Sequence, residues 1–506
     1  MINNIRRNSI MKSRWFAAAL AVLLCISSLP VSAAPQYMAD GEVFDPQWYL
    51  EQNPDVAAAF SGNASPEVLY GHYTTYGVYE GRLPYNPLTF NPANVLPYQG
   101  ETGKIPNMTV QTNITPAASN NRNAQNYRWY NNYNWNWSDT VKSYLYENPM
   151  GGLTRVECIG GQVIAEDYDS AFHITSSRNI PMELPIWGGF FAGQNYNFLI
   201  FGQNNPAQDN NMEVVRVVKY SKDWQRLGHT SLYGANTVAP FEAGSLRCTE
   251  YGDYLYIRTC HKMYASARDG LNHQANMTMA VRQSDMTLTD TYHIVMNNSV
   301  GYVSHSFNQF VLADQEQNLV TLDHGDAYPR SIVLMRYNSA KAGGAKFSGS
   351  VSQSTLLSIP GGIGDNYTGA SVGGLVETAN GYVTAFNYDG IGGKGTRDIY
   401  ISYTAKNGLS STAARITQSG GMLTPVLVST GLNGGYLMWT DAQGTFYYAQ
   451  YTDGGGIGAI RTANAALSDC QPICHNGEVI WYVTGNSAPV FYKLDAAGVI
   501  TAVTTQ

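Results

Sequence analysis

Residues 254–283 read YLYIRTCHKMYASARDGLNHQANMTMAVRQ. Two runs rich in Tyr, Ile, Met and Val flank a polar stretch that contains Ser266, Asp269 and Gly270. Runs of β-branched and aromatic residues bounded by turn-forming residues are typical of β-strands joined by a loop. We therefore predict a strand, a loop and a second strand across this stretch.

The same arrangement recurs along residues 137–506. Second strands of a repeating unit are predicted at NFLIFG, YLYIRTC, LVTLDHG, YVTAFNYD, YLMWTD and VIWYV, and third strands at MEVVRVVKY, NMTMAVRQ, SIVLMRYN, DIYISYT, TFYYAQYT and PVFYKLD. A further unit occupies residues 153–182. Seven units at intervals of roughly fifty residues match the period of β-propeller blades. The predicted fold class is mainly β: a seven-bladed β-propeller, with six or eight blades as alternatives, preceded by a small three-helix module. In this repeat the domain resembles secreted bacterial β-propeller proteins in general, without the signature of a single family.

Residues 43–85 follow a helical pattern. Asp45-Pro46, Asn53-Pro54 and Ser65-Pro66 each place a capping residue before a proline at the first helical position. Gly77 is predicted to end the third helix. We expect aromatic packing to hold the helices together, because helices this short are marginal alone. His72 is predicted to pack among them rather than to bind a ligand.

This helical segment resembles a short module of bacterial secreted and surface proteins. The shared pattern is F-D-P-x-W-Y-L, then N-P-D-V, then H-Y-x-x-x-G-x-x-E-G-R, and residues 44–46, 53–56 and 80–82 carry much of the match. The match is confined to this module. The resemblance implies attachment or interaction, so a protein partner is expected for the helical module.

The first 33 residues have the pattern of a secretory signal peptide. Basic residues precede an apolar run over residues 15–26 that is too short to span a bilayer, and Val31-Ser32-Ala33 is a small-residue cleavage site. Cleavage near Ala33 and a secreted, extracellular or cell-surface protein are therefore expected. Residues 86–136, rich in Asn, Pro and Tyr, are predicted to be a linker. No later segment is predicted to cross a membrane.

The charge balance argues against nucleic acid as a partner. The chain has 30 basic and 37 acidic side chains, a net charge of −7. Removal of residues 1–33, which hold four basic and no acidic side chains, would leave 26 against 37, a net charge near −11. An acidic surface repels a phosphate backbone.

Five cysteines follow the predicted signal peptide: Cys158, Cys248, Cys260, Cys470 and Cys474. An odd number leaves at least one thiol free. Disulfides between Cys470 and Cys474 or between Cys248 and Cys260 are one alternative. Buried reduced cysteines are the other.

A group of histidines is predicted to meet at one face of the propeller. In an antiparallel blade, the loop from the second to the third strand and the connection to the next blade emerge on the same side. This rule brings together His261, His273, His305 and His324, on two neighbouring blades. The same loops carry Tyr264, Asp269, Asp323, Asp326 and Arg330, and the next blade adds Asp389 and Arg397. We expect a polar pocket over blades three to five, because the matching loops of the last two blades are short.

Three functions would suit such a pocket. The first is binding of a glycan or another cell-envelope polymer, and its candidate ligand-binding residues are His305, His324, Asp269, Asp323, Asp326, Asp389 and Arg397. The second is a carbohydrate-active enzyme, above all a polysaccharide lyase. His261, His273 or Tyr264 would take the proton next to a uronate carboxylate, and Arg330 would neutralise that carboxylate. Hydrolysis would instead use the carboxylates of Asp269, Asp323 and Asp326.

The third function is a metal site. A divalent cation (Zn²⁺, Mn²⁺ or Ca²⁺) would be held by two or more of His261, His273, His305 and His324, although no HxH or HExxH spacing supports it. A structural alternative competes with all three. Buried His and Asp side chains often tie adjacent strands through hydrogen bonds, and His324-Gly325-Asp326 fits such a tether. We prefer glycan binding to catalysis, because nothing in the sequence defines a reaction.

Overall fold

The computed structural model describes residues 35–38, 42–60, 66–78, 80–91, 94–96, 108–110, 114–121, 138–242, 244–292, 308–327, 330–337, 351–362, 365, 367–393 and 395–505. The chain divides into two compact units, Met1–Lys104 and Ile105–Gln506. The predicted signal peptide, most of the predicted linker and His305 lie outside the described residues.

The smaller unit contains a two-stranded sheet and three short helices. Strands β1 and β2 span Gln36–Tyr37 and Val43–Phe44. Helices α1, α2 and α3 span Pro46–Gln52, Pro54–Ala59 and Pro66–His72, and a π-helix follows over Tyr73–Gly77. Each α-helix begins at a proline and the helical run ends at Gly77, as predicted. The buried core consists of Met38, Phe44, Tyr49, Val56 and Leu69, so packing supplies what such short helices lack in intrinsic stability.

Two of the predicted helix caps can be compared with the structure. The Asp45 carboxylate accepts a hydrogen bond from the backbone N–H three residues later, at 2.9 Å, as expected of a cap. The prediction for Asn53 is wrong, because its side chain donates to the Tyr49 carbonyl at 2.7 Å and accepts from Arg82 at 2.8 Å. Arg82 also pairs with both carboxylate oxygens of Asp55, at 2.9 and 2.7 Å. The closing turn of the module is thereby fastened to the start of α2.

Within its described residues, the larger unit consists of seven antiparallel sheets, which we call blades 1 to 7. Each blade is formed by one stretch of chain whose strands pair in sequence order, and blades 1 and 3 carry one extra short strand. Blade 1 contains β3 (Thr109–Val110), β4 (Ser143–Glu147), β5 (Leu153–Ile159), β6 (Gln162–Tyr168) and β7 (Ile174–Pro181). Blade 2 contains β8 (Ile186–Ala192), β9 (Asn197–Gly202), β10 (Glu213–Tyr220) and β11 (Arg226–Tyr233). Blade 3 contains β12 (Thr237–Pro240), β13 (Arg247–Tyr251), β14 (Tyr254–Ala265), β15 (Asn272–Arg282) and β16 (Thr287–Tyr292). Blade 4 contains β17 (Gln309–Ala313), β18 (Leu319–Gly325), β19 (Ser331–Tyr337) and β20 (Val351–Ser358). Blade 5 contains β21 (Ala370–Glu377), β22 (Gly381–Tyr388), β23 (Asp398–Ala405) and β24 (Ser411–Arg415). Blade 6 contains β25 (Val426–Ser429), β26 (Gly434–Thr440), β27 (Phe446–Thr452) and β28 (Arg461–Ala463). Blade 7 contains β29 (Ile473–His475), β30 (Glu478–Val483), β31 (Val490–Leu494) and β32 (Ile500–Thr504).

The seven-bladed β-propeller predicted from the repeat is confirmed. The six predicted second strands and the six predicted third strands occupy the second and third positions of their four-stranded meanders. The inner strands of successive blades lie next to one another, in the order β8, β13, β17, β21, β25, β29 and β4. The first strand of each four-stranded meander, β4 in blade 1 and β13 in blade 3, therefore faces a common axis.

The ring closes by packing of blade 7 on blade 1. One buried apolar cluster joins the two blades and contains Leu145, Leu153, Tyr168, Phe172, Cys470, Ile480, Tyr482 and Phe491. The Tyr482 hydroxyl donates to the Glu157 carboxylate at 3.0 Å. No strand is exchanged between these two blades in the described part of the chain, so their direct contact consists of side chains.

A segment preceding β4 crosses the same interface. The Ala117 carbonyl accepts a hydrogen bond from Arg155 of blade 1 at 2.9 Å. Four residues later, the Asn121 side chain accepts from the backbone N–H of Thr484 of blade 7 at 2.7 Å. Residues 114–121, part of the predicted linker, thus contribute to the larger unit and clasp its first and last blades.

The second strands are buried along much of their length. Every residue of LVTLDHG in β18 and of GYVTAFNY in β22 is buried, because neighbouring blades cover both faces of the sheet at this position. The fourth strands β20 and β24 are largely exposed. Polar side chains in second strands therefore need partners inside the protein.

All five cysteines that follow the predicted signal peptide are free thiols. Cys260 and Cys470 are buried, as the reduced alternative predicted, whereas Cys158 and Cys248 are partly buried and Cys474 is exposed. Burial raises the pKa of Cys158 to about 11, and it raises the pKa values of Cys248 and Cys260 further. These thiols are neutral at physiological pH and poor nucleophiles. Among the described residues, no helix has the length and apolarity needed to traverse a bilayer.

Candidate functional site

Three of the four predicted histidines lie toward one end of their blades. His261 and His273 belong to the β14–β15 hairpin of blade 3, and His324 is the next-to-last residue of β18 in blade 4. In an antiparallel meander, the end of the second strand lies beside the start of the first, inner strand. We call this end of the propeller the loop end. Accessibility differs sharply within the group, since His261 and His324 are buried whereas His273 is partly exposed.

Asp323 is one half of a buried ion pair between blades 3 and 4. Arg258 in β14 donates Nε to one carboxylate oxygen at 2.9 Å and Nη2 to the other at 2.5 Å, and both side chains are 0% exposed. Burial pulls the pKa of Arg258 down, but the Asp323 carboxylate outweighs it and holds that pKa above its usual value. The ligand-binding role predicted for Asp323 is wrong, because both oxygens are engaged within the core.

His324 ties blade 4 to the start of blade 5. Its Nε2 lies 2.8 Å from the Thr368 hydroxyl. Burial, together with the charges of Arg397 and Arg330, lowers the pKa of His324 to about 3, so its ring is neutral at physiological pH. Asp326, two residues further on, is also fully buried. For His324, the predicted ligand-binding role is replaced by the interblade tether that was the structural alternative, whereas the role of Asp326 stays a prediction.

Arg330 fixes the backbone of neighbouring loops. Its Nε donates to the Pro360 carbonyl at 2.9 Å, and its terminal nitrogens donate to the carbonyls of Asp365 and Tyr367 and, at 3.3 Å, of Gly392. The residue is 6% exposed. Its N–H groups already donate to carbonyl oxygens of the protein, so it is not placed to neutralise the carboxylate of a uronate. The catalytic role predicted for Arg330 is therefore wrong.

Asp389 organises the loop that follows β22. Its two oxygens accept four backbone N–H groups at 2.8–3.0 Å, from Ile391, Gly392, Gly393 and Gly395. Arg397, at the far side of this loop, is 2% exposed and lies 3.4 Å from the Asn387 side chain. Both residues serve the protein's own structure, contrary to the ligand-binding roles predicted for them.

The catalytic roles predicted for His261 and Tyr264 conflict with their contacts. His261 is 0% exposed, and its Nδ1 lies 2.7 Å from the Thr237 hydroxyl. The Tyr264 hydroxyl accepts from Asn205 at 3.0 Å and donates to the Asp209 carbonyl at 3.2 Å. The His261 contact lies within blade 3 and the Tyr264 bonds join blade 3 to blade 2, so neither group is placed to take a proton from a polymer.

His273 is partly exposed and Asp269 is exposed. They lie on the β14–β15 loop and pair with each other at 3.0 Å. They are four residues apart, so this contact belongs to the local geometry of the loop. Roles for the two in catalysis or ligand binding stay predictions.

The predicted metal site is not assembled from the described histidines. His261, His273 and His324 have different partners, in Thr237, Asp269 and Thr368. Across the described ranges, no group of three or more His, Cys, Asp or Glu side chains is placed to hold a metal ion. A cation held by all three of these histidines is therefore not supported, while a site that uses two of them, or His305, which lies outside the described part, stays a prediction.

A polar groove opens at the loop end between blades 6 and 7, and we call it the blade 6–7 groove. Its volume is about 440 Å³. It is bounded by the β26–β27 turn, the β30–β31 turn, the chain leading to β29, and residues 114–121. Its lining consists of Asn120, Leu423, Thr440, Asp441, Ala442, Gln443, Gly444, Ala466, Leu467, Gly485 and Asn486.

The one carboxylate in this lining is engaged within its own turn. Asp441 Oδ1 accepts the backbone N–H groups of Gln443 and Thr445 at 3.0 and 2.8 Å, and Oδ2 accepts the Tyr447 hydroxyl at 3.1 Å. Burial favours protonation, but these hydrogen bonds outweigh it and lower the pKa of Asp441. The carboxylate therefore shapes the turn, and the remaining lining offers amides, a hydroxyl and backbone groups beside small apolar side chains.

The groove lies away from the pocket predicted over blades three to five. Hydrogen bonds from residues such as Asp389 and Arg330 hold the long loops there in compact conformations. The short turns of blades 6 and 7 instead leave space between the blades. The overlooked signal is the D-A-Q-G turn at residues 441–444, because an Asp that caps its own turn marks a rigid, compact loop.

No protein-family model and no curated protein sequence matches the chain. Among solved structures, it is similar to the six-bladed lectin of Aleuria aurantia, described with a fucose recognition mode, at 9% identity and a TM-score of 0.35 over 72% of this chain and 96% of that one. It is similar to the BP39L lectin of Burkholderia pseudomallei at 10% identity and a TM-score of 0.41, over 72% and 95%. It is also similar to prolyl oligopeptidase B of Galerina marginata at 7% identity and a TM-score of 0.43, over 72% of this chain and 52% of that one. We therefore base the function on the groove's own geometry.

Proposed function

We propose that the larger unit binds a neutral glycan in the blade 6–7 groove. The observation that supports this is a groove of about 440 Å³ with a polar lining whose single carboxylate is internally engaged. Sugar hydroxyls both donate and accept hydrogen bonds, so they pair with amides such as those of Gln443 and Asn486. A neutral ligand also avoids the desolvation cost that an unpaired charge would bring.

Binding is favoured over the polysaccharide-lyase alternative. Removing a proton next to a uronate carboxylate needs a base and a cation that neutralises the carboxylate. Within the described lining of the groove there is no His, Tyr, Lys or Arg. His261 and Arg330, predicted for these two roles, are buried elsewhere.

Immobilised neutral and uronic-acid glycans would be screened with the purified chain, and the best ligand titrated by calorimetry. Ala442→Trp fills the groove from an exposed position and should abolish binding of the neutral glycan. Gln443→Ala removes an amide and should weaken binding about five- to twentyfold, the equivalent of one or two hydrogen bonds.

Two variants at the same loop end serve as controls. Arg268→Ala and His273→Ala alter the β14–β15 loop of blade 3 and should leave affinity unchanged. Binding restricted to uronic-acid glycans would contradict the proposal. So would a loss of binding in His273→Ala with full binding in Ala442→Trp.

We also propose that the protein is exported and meets an extracellular or cell-envelope polymer. The basic N-terminal residues, the apolar run and the Val31-Ser32-Ala33 site support this. Intact-mass analysis of full-length chain expressed in a bacterial host should show a product in the exported fraction that begins near Ala34. A cytoplasmic product that keeps residues 1–33 would contradict it. A protein partner for the helical module stays a prediction from its sequence pattern.

A further inference from the structure

The inner strands of blades 3 to 6, with the chain entering blade 7, line a second cavity, which is open to solvent and which we call the channel pocket. Its volume is about 370 Å³. Apolar side chains provide much of its wall, notably Phe310, Leu375, Leu427, Val428 and Ile473. The channel pocket and the blade 6–7 groove have no lining residue in common.

The guanidinium of Arg247 places one positive charge at this apolar wall. Its guanidinium carbon lies 4.7 Å from the centre of the Phe310 ring. Its Nε is shielded from solvent and has no hydrogen-bond acceptor among the described residues. Burial lowers the pKa of Arg247, as expected where a charge has lost water without gaining an ion pair.

Two fully buried arginines of the propeller have carboxylate partners. Arg258 pairs with Asp323, and Arg155 pairs with Glu157 and Glu166 at 2.7 and 2.9 Å. Arg247 is partly buried and has no carboxylate partner among the described residues, so its guanidinium at the wall of a cavity can pair with an anionic ligand.

The described ionisable groups that face Arg247 do not supply a full counter-charge. They are Tyr144, Cys248 and Asp469. Burial raises the pKa values of Tyr144 and Cys248, so both are neutral. The Asp469 oxygens accept the Lys142 N–H at 2.8 Å and the Ser143 hydroxyl, and burial raises the pKa of Asp469 to about 7.

We propose that the channel pocket binds a small monocarboxylate with an apolar body, the carboxylate on the Arg247 guanidinium and the body against Phe310, Leu375 and Leu427. The single guanidinium of Arg247 favours a ligand that carries a single negative charge. The apolar wall disfavours inorganic anions, which keep their hydration, and favours an aliphatic or aromatic acid. The volume is at the lower end of the range of small-molecule sites, which limits the ligand to a short chain or a single ring.

The probes are hexanoate and benzoate, each matched with its neutral amide, and inorganic phosphate, all titrated by calorimetry into the full chain. Both carboxylates should bind at least about tenfold more tightly than their amides and than phosphate. Arg247→Met should lose this difference, and Arg247→Lys should keep part of it. Arg268→Gln, on the exposed β14–β15 loop, should bind like the unaltered chain.

Two further measurements separate this site from a structural role and from the glycan site. Without ligand, Arg247→Met should melt no lower than the unaltered chain, because a partly buried charge that lacks an ion pair among the described residues is replaced by an apolar side chain of similar length. Ala442→Trp should leave carboxylate binding intact. The inference is overturned if the unaltered chain binds no carboxylate, if acid and amide bind equally, or if Arg247→Met either keeps full binding or melts several degrees lower.

Discussion

Arg258 and Asp323 face each other across the interface between blades 3 and 4, with Nε 2.9 Å from one carboxylate oxygen and no exposed surface on either side chain. Both lie in second strands, which neighbouring blades cover. A similar cluster of Arg155, Glu157 and Glu166 lies in blade 1, at the interface with blade 7. Charged residues in these strands thus stabilise the contacts between blades. Ligands are recognised by residues elsewhere in the propeller.

Arg258→Met should lower the free energy of unfolding by about 3–5 kcal/mol, because it leaves the Asp323 charge buried without a partner. The double variant Arg258→Met/Asp323→Leu should recover most of that loss. Arg282→Met, which breaks the partly exposed pair with Asp285, is the control and should cost about 1 kcal/mol or less. Urea denaturation measures all three, and equal losses in the two single variants would refute the assignment.

Tyr482→Phe tests the closure of the ring. It removes the hydroxyl that donates to Glu157 at 3.0 Å and should cost about 1–3 kcal/mol, since a buried carboxylate loses a donor. Tyr492→Phe is a matched control on the next strand, where the ring stacks on Trp481 at 5.3 Å and the stacking survives the change. Chemical denaturation should separate the two variants, and indistinguishable stabilities would speak against a sealing role for Tyr482.

The buried His324 predicts a loss of stability in acid. Its pKa of about 3 in the folded protein lies below the ordinary value of 6.5, so the unfolded chain takes up a proton that the folded chain refuses. The stability is present above about pH 6.5 and falls by up to about 1.4 kcal/mol per pH unit as the pH drops toward 3. His324→Gln should show a shallower decline over this window. His273→Gln, on the exposed loop, should follow the unaltered protein; parallel profiles for all three would contradict the prediction.

Asp389→Ala should loosen the loop that follows β22. Four backbone N–H groups lose their acceptor, and each should exchange with deuterium about tenfold faster, as expected for loss of roughly 1.4 kcal/mol of protection. Hydrogen exchange followed by mass spectrometry measures the peptide that spans this loop. Asp209→Ala, in a loop of blade 2, provides the comparison and should leave that peptide unchanged. Unaltered exchange in Asp389→Ala would show that the carboxylate does not hold the loop.

Local pattern was enough to predict the strands and their repeat. NFLIFG, LVTLDHG and YVTAFNYD are apolar runs between turn residues, and each became a second strand. Asp45 capped its helix because that contact spans three residues. Asn53 failed as a cap because a competing partner, Arg82, lies 29 residues away and is invisible to a local pattern.

The sequence by itself determined the class of fold, a repeat that favoured seven blades, and the end of the blades to which His261, His273 and His324 belong, because hydrophobic period and chain direction are local properties. Tertiary structure alone decided which polar groups form hydrogen bonds and ion pairs within the protein. Arg258 meets Asp323 across 65 residues, and Asn121 meets Thr484 across 363. Burial and hydrogen-bond satisfaction depend on such distant neighbours, so the blade 6–7 groove and the channel pocket became visible only when the blades were packed around their axis.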